Sequence, residues 1–210
     1  MIREEIKTSA VLNIDKIRKG KFVEQIPELY ELREVIENND WHNNTSVFNH
    51  TLTTLEKLEG LLGNIKSVIS DYLNQKITNY NRKELLFLAT IFHDIAKKET
   101  FLKKNGETAC LNHEEKSAIK AKKILSRFDL SKEEKDLVVK IIKYHNVIHL
   151  IFKSSPDKFN KEMDRAKKKY SNTFWEIILL SMADTLGLQP NKNKIDDFNF
   201  RINFYKKLLI

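Results

Sequence analysis

The chain has 210 residues, of which 41% are hydrophobic and 31% charged, values typical of a soluble globular protein with one core. Its single cysteine, Cys110, excludes an internal disulfide and a thiolate zinc knuckle, and it favours the reducing cytoplasm as the location. The N-terminus lacks an apolar core of signal-peptide length, and no apolar run approaches the roughly 18 residues of a membrane span. We therefore expect a cytoplasmic protein with no membrane partner.

Basic residues outnumber acidic ones. Lys plus Arg total 37 and Asp plus Glu total 29, which gives a formal net charge of +8. This excess favours an anionic partner such as a nucleotide or RNA. The charges are scattered, however, and lysines such as Lys120, Lys122 and Lys123 are typical of solvated helix faces. Charge by itself is therefore weak support for RNA binding.

The elements expected along the chain are helical, since only five glycines and three prolines interrupt it. Apolar residues at three- and four-residue steps predict helices over 23–36, 47–73 (interrupted near Gly60 and Gly63), 82–98, 113–128, 131–145, 172–186 and 196–209. Ser131 and Glu134 form a capping-box pattern, Asn105-Gly106 marks a turn, and a loop is expected around Pro156. No segment has a convincing strand pattern. The sequence thus predicts one all-α domain over 1–210, with about seven to nine helices.

One histidine and one aspartate lie beside the apolar stripe of the helix expected over 82–98. They are His93 and Asp94, in the segment Ile-Phe-His-Asp-Ile-Ala-Lys. Adjacent helical residues point about 100° apart and can flank one ion. A carboxylate beside a buried stripe is costly unless it is paired or binds a metal.

Further polar residues occupy core-facing positions on other expected helices. They are His50, His113, His145 and Asp184. A single histidine on an apolar face is more often a hydrogen-bonded core residue than a ligand, and an aspartate can pair with a lysine or arginine. Four histidines and two aspartates on five helices are less easily coincidental. Nitrogen and carboxylate ligands without thiolate suit Mn, Fe, Co, Ni, Zn or Mg.

In their order along the chain and in the sequence around each of them, these residues resemble the HD superfamily of metal-dependent phosphohydrolases. The matching segments are Val47–Leu52, Ile91–Lys97, His113–Ala118 and Ile141–His145. The order of Ile26-Pro-Glu-Leu29, His42 and His50 resembles, over about 26–186, the HD domain of bacterial tRNA nucleotidyltransferases. A stand-alone domain that does not add CCA ends is therefore expected. Ala96 stands where the family usually has glycine. The Glu-Asp pair of alarmone hydrolases and the Gly-Tyr-Pro motif of cyclic-di-GMP hydrolases are absent from the sequence.

The resemblance implies a role for each residue. One divalent ion would be held by His50, His93, Asp94 and Asp184, and would activate water for attack on a nucleotide or nucleic-acid phosphoester. His113 and His145 would hold a second ion or protonate the leaving oxygen. Lys97, expected one turn after His93 on the same helix face, would contact substrate phosphate. Asp94, Lys97, His113 and His145 are thus the candidate catalytic residues. His42 and His149 have weaker claims, the latter in an expected loop.

Two alternatives to a phosphohydrolase remain open at this point. One is an RNA-binding module that kept the fold without catalysis, which the charge mildly favours and the intact ligand set disfavours. The other is a purely structural helical protein. That hypothesis must treat the convergence of six polar residues as coincidence.

Overall fold

The computed structural model describes residues 13–210, and most of them are helical. The helices are α1 (Ile14–Arg18), α2 (Pro27–Tyr30), α3 (Val47–Leu62), α4 (Ser67–Leu73), α5 (Arg82–Phe92), α6 (Lys97–Thr100), α7 (His113–Leu125), α8 (Lys132–Tyr144), α9 (Val147–Phe152), α10 (Pro156–Lys169), α11 (Phe174–Gly187) and α12 (Ile195–Leu209). Short 3₁₀ turns cover Glu31–Glu34 and Lys192–Lys194. The prediction of an all-α domain is confirmed. Within 13–210, eight helices have seven or more residues, in line with the expected number.

Local sequence signals explain where several helices begin. The capping box at Ser131 forms as expected, with the Glu134 backbone donating to Ser131 Oγ and the Ser131 backbone donating to the Glu134 carboxylate. Asn81 begins α5 in the same way. The loop expected over 154–157 is shorter in the structure: Ser154 and Ser155 lie between helices, but Pro156 is already the first residue of α10. Proline suits that position, since its missing N–H has no partner in the first helical turn.

The core forms where α11 packs along α3, and where α5 and α7 pack against α8. Between Ile177 and Ala183 every side chain of α11 is buried, so this helix is covered on all sides and lies at the centre. Its last residue, Gly187, approaches α3 closely: a Cβ there would lie 2.9 Å from Thr54 Oγ1 and 3.2 Å from His50 Cε1. The close contact of α3 and α11 brings their polar residues together.

Two antiparallel hairpins are the main departure from the sequence prediction. The first pairs β1 (Ile36–Asn39) with β2 (His42–Ser46), and the second pairs β3 (Phe101–Lys104) with β4 (Glu107–Cys110) around the expected Asn105-Gly106 turn. Their four-to-five-residue strands are mostly polar and lack apolar alternation, so periodicity could not reveal them. The hairpins contact each other, with the Asn38 backbone donating to Thr108 Oγ1 at 2.7 Å.

The helix expected over 82–98 is interrupted at the ligand motif. Helix α5 ends at Phe92, and residues 93–96 form turns in which the Ile95 backbone donates to Phe92 O and the Lys97 backbone to Asp94 O. Lys97 then begins α6. The expectation that His93 and Lys97 share one helix face was therefore wrong. The three-residue turns tighten the chain here, and they still direct both side chains inward.

None of the helices within residues 13–210 combines the length and the apolar character needed to cross a membrane.

Candidate metal centre

All six predicted ligands converge beside one cavity of about 500 Å³. They come from α3 (His50), the turn after α5 (His93 and Asp94), the start of α7 (His113), the end of α8 (His145) and α11 (Asp184). His50, His93, Asp94 and His145 are at most 2% exposed. Helices remote in sequence thus bring histidines and carboxylates to one buried point.

The first of two ligand groups joins α3, α5 and α11. It consists of His50, His93 and Asp184, each offering an atom within 4.8 Å of the others. His50 Nε2 lies 2.7 Å from Asp184 Oδ1, and His93 Nε2 lies 3.6 Å from the same oxygen. Two nitrogens and one carboxylate oxygen at these separations can surround a single divalent ion.

The second group consists of Asp94, His113 and His145, again within 4.8 Å of one another. Asp94 lies between the two groups. Its Oδ1 is 3.2 Å from His113 Nε2, whereas its Oδ2 is 3.2 Å from His93 Nε2 and 4.0 Å from His50 Nε2. One carboxylate therefore faces both groups, and the geometry accommodates one ion or two.

In three of the histidines, a backbone contact occupies Nδ1 and leaves Nε2 directed into the site. The Nδ1 atoms of His93, His113 and His145 lie 2.7–2.8 Å from the backbone carbonyl oxygen three residues earlier. A carbonyl can only accept, so in each ring Nδ1 carries the proton and donates it. The lone pair of the neutral ring is then on Nε2, which points into the site. This is the orientation that a carbonyl partner gives to metal-binding histidines.

Unpaired buried atoms show that a cation fits this site. His93 Nε2 and Asp94 Oδ1 are buried without an aligned hydrogen bond, although each has a neighbour at 3.2 Å. Buried polar atoms without partners are costly. A divalent ion would satisfy both atoms, and the nitrogen and carboxylate donors are those such ions accept.

The electrostatics of the site favour positive charge at its centre. Burial alone would raise the pKa of Asp94 and Asp184, but the surrounding histidines and Lys97 hold the pKa of Asp94, and the histidines that of Asp184, well below the usual range. Burial alone would lower the pKa of His93, yet the two carboxylates raise it to about 10. The field that stabilises a proton on His93 would equally stabilise a metal ion.

His145 and His42 respond in the opposite way. Burial and the neighbouring His93 and His113 lower the pKa of His145 to about 4, so its Nε2 stays available as a ligand. Burial and Lys97 lower the pKa of His42 to about 4 as well. The ring of His42, on β2, lies 5.0 Å from that of His50, and His42 belongs to neither ligand group.

Lys97 lines the cavity but is already paired. Its ammonium lies 2.8 Å from Glu37 Oε2 and 3.0 Å from Asp94 Oδ2, and the residue is 5% exposed. Burial alone would lower the pKa of Lys97, but these carboxylates raise it. Sequence patterns did not predict Glu37 as a partner of Lys97, because Glu37 lies on a strand that periodicity did not reveal. Contact between Lys97 and substrate phosphate stays a prediction.

His149 was underestimated from sequence. It lies on α9 and not in a loop, it is buried, and its Nε2 is 3.2 Å from Asp184 Oδ2. Its spacing of four residues after His145 was the available signal, because residues four apart share a helix face. The α8–α9 junction lies between them, and His149 still faces the same cavity.

The fold and site define a helical domain that gathers histidine and aspartate ligands around a polar cavity. The HD domain family model matches residues 47–186, two thirds of the chain. The chain therefore belongs to the HD domain family, a match that suggests the superfamily of metal-dependent phosphohydrolases. The matched region contains all six predicted ligands, Lys97 and His149.

Proposed function

We propose that this protein is a metal-dependent phosphohydrolase, a phosphomonoesterase or phosphodiesterase, that acts on a nucleotide or nucleic-acid phosphoester. The observation that carries the proposal is the pair of largely buried ligand groups beside a cavity of about 500 Å³, with Asp94 of the second group also facing the histidines of the first. Cavities of this volume hold small molecules. Lysines also line it, namely Lys97, Lys153 and Lys194, and they suit a phosphorylated substrate.

The roles follow from position. His50, His93 and Asp184 would hold one divalent ion together with Asp94, and His113 and His145 would hold a second ion with the same aspartate. A bound divalent ion would supply Lewis acidity toward a phosphoryl oxygen and make water more acidic. The family match does not distinguish among branches, so the relationship to tRNA nucleotidyltransferase HD domains also stays a proposal.

The chain's own groups would manage charge and protons around the substrate. Lys97, fixed by Glu37, would place its ammonium where charge builds on the phosphoryl oxygens. Both histidines of the second group line the cavity, and His113 is the more exposed of the two, at 15% of its side chain. If only one ion binds, His113 is the better placed to protonate the leaving oxygen.

The test combines elemental analysis with a substrate panel. The purified protein, reconstituted separately with Mn²⁺, Fe²⁺, Co²⁺, Ni²⁺, Zn²⁺ and Mg²⁺, would be assayed on phosphomonoesters, phosphodiesters and nucleotides. Asp94→Asn keeps shape but removes the shared charge, and we expect it to lose both metal and turnover. Glu115→Gln, on the exposed face of α7, is the matched control and should behave as wild type.

Two results would overturn the proposal. One is less than about a tenth of an equivalent of metal after reconstitution, with no hydrolysis of any substrate. The other is an Asp94→Asn variant with wild-type metal and turnover. His113→Ala and His145→Ala then distinguish one bound ion from two. Loss of about half the metal indicates two ions, and full metal content with slower turnover indicates that the histidine acts as a general acid.

RNA binding without catalysis is the second candidate function. A surface depression of about 610 Å³ beside α10 is lined by Lys167, Lys168 and Trp175, a combination of cations and an aromatic ring that suits single-stranded RNA. It lies outside the ligand groups. Two results together would favour this candidate: the wild-type protein hydrolyses none of the substrates, and Asp94→Asn binds RNA as tightly as wild type does.

A further inference from the structure

His149 differs from the ligand histidines in which ring nitrogen carries the proton. Its Nδ1 lies 3.3 Å from an Nη atom of Arg201. Arginine donates hydrogen bonds and cannot accept them, so Nδ1 of His149 must accept and carries no proton. The ring's proton is therefore on Nε2. This is the reverse of the arrangement in His93, His113 and His145, where Nε2 is free.

The Nε2 atom of His149 faces the oxygen of Asp184 that the first ligand group does not use. It lies 3.2 Å from Oδ2, close enough for a hydrogen bond although the angle is not aligned. Asp184 Oδ1 instead faces His50 and His93, at 2.7 and 3.6 Å. The two oxygens of Asp184 are thus divided between the ligand group and His149.

Arg201 is itself held rigidly. It donates to both carboxylate oxygens of Asp197, at 2.8 and 2.9 Å. Its guanidinium lies 4.6 Å from the Trp41 ring centroid and 5.2 Å from that of Phe152, and the residue is 5% exposed. Such a buried cation needs this many partners. Arg201 lies on α12, outside the matched region 47–186.

We propose that Arg201 and His149 position the metal-binding carboxylate of Asp184. Arg201 holds His149 with its proton on Nε2, and that N–H restrains Asp184 Oδ2 so that Oδ1 is directed at His50 and His93. His149 is then a positioning residue and not a metal ligand. This rests on the proposed function, since it assigns Asp184 to the metal. It also makes α12 part of the functional unit.

Two competing accounts make different demands. As a metal ligand, His149 would need a free Nε2 and a proton on Nδ1, where it would face the Arg201 guanidinium. As packing alone, the Arg201 cluster would support stability without affecting the metal. Outer partners of metal ligands typically change affinity about 10- to 100-fold, which separates positioning from packing.

The first measurement reads the ring protons directly. Long-range ¹H–¹⁵N spectra of ¹⁵N-histidine-labelled, metal-free protein distinguish the two neutral forms of each ring. We expect His149 with its proton on Nε2, and a shift toward a mixture of the two forms in Arg201→Ala. Finding the proton on Nδ1 in wild type, or no change in Arg201→Ala, would overturn the proposal.

The second measurement is the affinity for Zn²⁺, by competition with a chromophoric chelator. We expect Arg201→Ala and His149→Phe each to weaken Zn²⁺ binding by about 10- to 100-fold. The double variant should bind no more weakly than His149→Phe, because Arg201 acts through His149. Arg165→Ala, which breaks an exposed pair with Glu162 on α10, is the charge-matched control and should bind Zn²⁺ as wild type does.

The remaining outcomes also decide. Unchanged affinity in either single variant, or losses that add fully in the double variant, would overturn the proposal. If Arg201→Ala does not fold, Asp197→Asn replaces it in both measurements. The same outcomes support or overturn the proposal, and we expect smaller changes in the ring-proton spectrum and in Zn²⁺ affinity. If wild type binds no Zn²⁺, the proposed function loses its support, and the ring-proton measurement on metal-free protein still decides the placement of His149.

Discussion

Gly187→Ala tests the close approach of α3 and α11 that forms the first ligand group. The added methyl would lie 2.9 Å from Thr54 Oγ1 and 3.2 Å from His50 Cε1, whereas carbon contacts are most favourable at about 3.5–4.0 Å. Neither neighbour moves freely. Thr54 Oγ1 donates to His50 O at 2.9 Å, and His50 Nε2 is 2.7 Å from Asp184 Oδ1. The helices must separate by roughly half an ångström.

The expected cost follows from overpacking. Extra methyl groups in a packed core usually destabilise by about 1–3 kcal/mol, so we expect a loss of that size in the free energy of unfolding. Gly60→Ala, near the end of α3, is the control: nothing lies within 4 Å of its Cβ, and it should gain about 0.5–1 kcal/mol from helix propensity. The two variants should differ by about 1.5–4 kcal/mol.

Urea denaturation of the metal-free protein measures the difference, and Zn²⁺ affinity measures the displacement of His50. Gly187→Ala should also bind Zn²⁺ more weakly. Thr54→Ala removes the nearest contact, so in the double variant part of the Gly187→Ala loss should be recovered. If Gly187→Ala were as stable as Gly60→Ala and bound Zn²⁺ normally, the close approach would not constrain the site and this reasoning would be refuted.

Three further predictions concern stability away from the ligands. Arg82→Ala leaves the fully buried Glu176 carboxylate without its cation, and chemical denaturation should show a loss of about 3–5 kcal/mol. Glu134→Ala removes a carboxylate that accepts from three backbone N–H groups, and a loss of stability below about 1 kcal/mol in the same assay would contradict this role. Burial alone would raise the pKa of Glu28, but Arg127 holds it below 4.5. The pair therefore stabilises the fold above pH 4.5, by about 0.5–1 kcal/mol, and the advantage of wild type over Glu28→Gln should disappear as acid titration passes below the lowered pKa.

The sequence predicted the ligand set because each ligand lies beside apolar residues at helical spacing. His50, His145 and Asp184 each follow this pattern, and the structure brings them together as expected. The ordered motif added the family, which the match to residues 47–186 confirms. Helix periodicity therefore predicted both the fold class and the polar positions that face inward.

What periodicity could not reveal depends on tertiary contacts. The end of helix α5 after Phe92 could not be predicted, because the apolar stripe continues to Ile95. Glu37 is a buried partner only because Lys97 reaches it across 60 residues. The distinct hydrogen bonding of His149 depends on Arg201, 52 residues away. Each is a pairing between remote residues, and single-sequence patterns contain no information about such pairs.

The two hairpins have a consequence for how this architecture can change. Helices supply all six predicted ligands or hold them at their ends, whereas short polar strands and the turn between them contribute Asn39, Trp41 and Thr108 to the wall of the cavity. Trp41 packs on Arg201 and Thr108 joins the two hairpins, but the wall also contains exposed residues such as Asp40 and Ala109, where substitutions would cost the fold little. The shape of the cavity entrance can thus change at these exposed positions while the helices that hold the candidate metal centre stay intact.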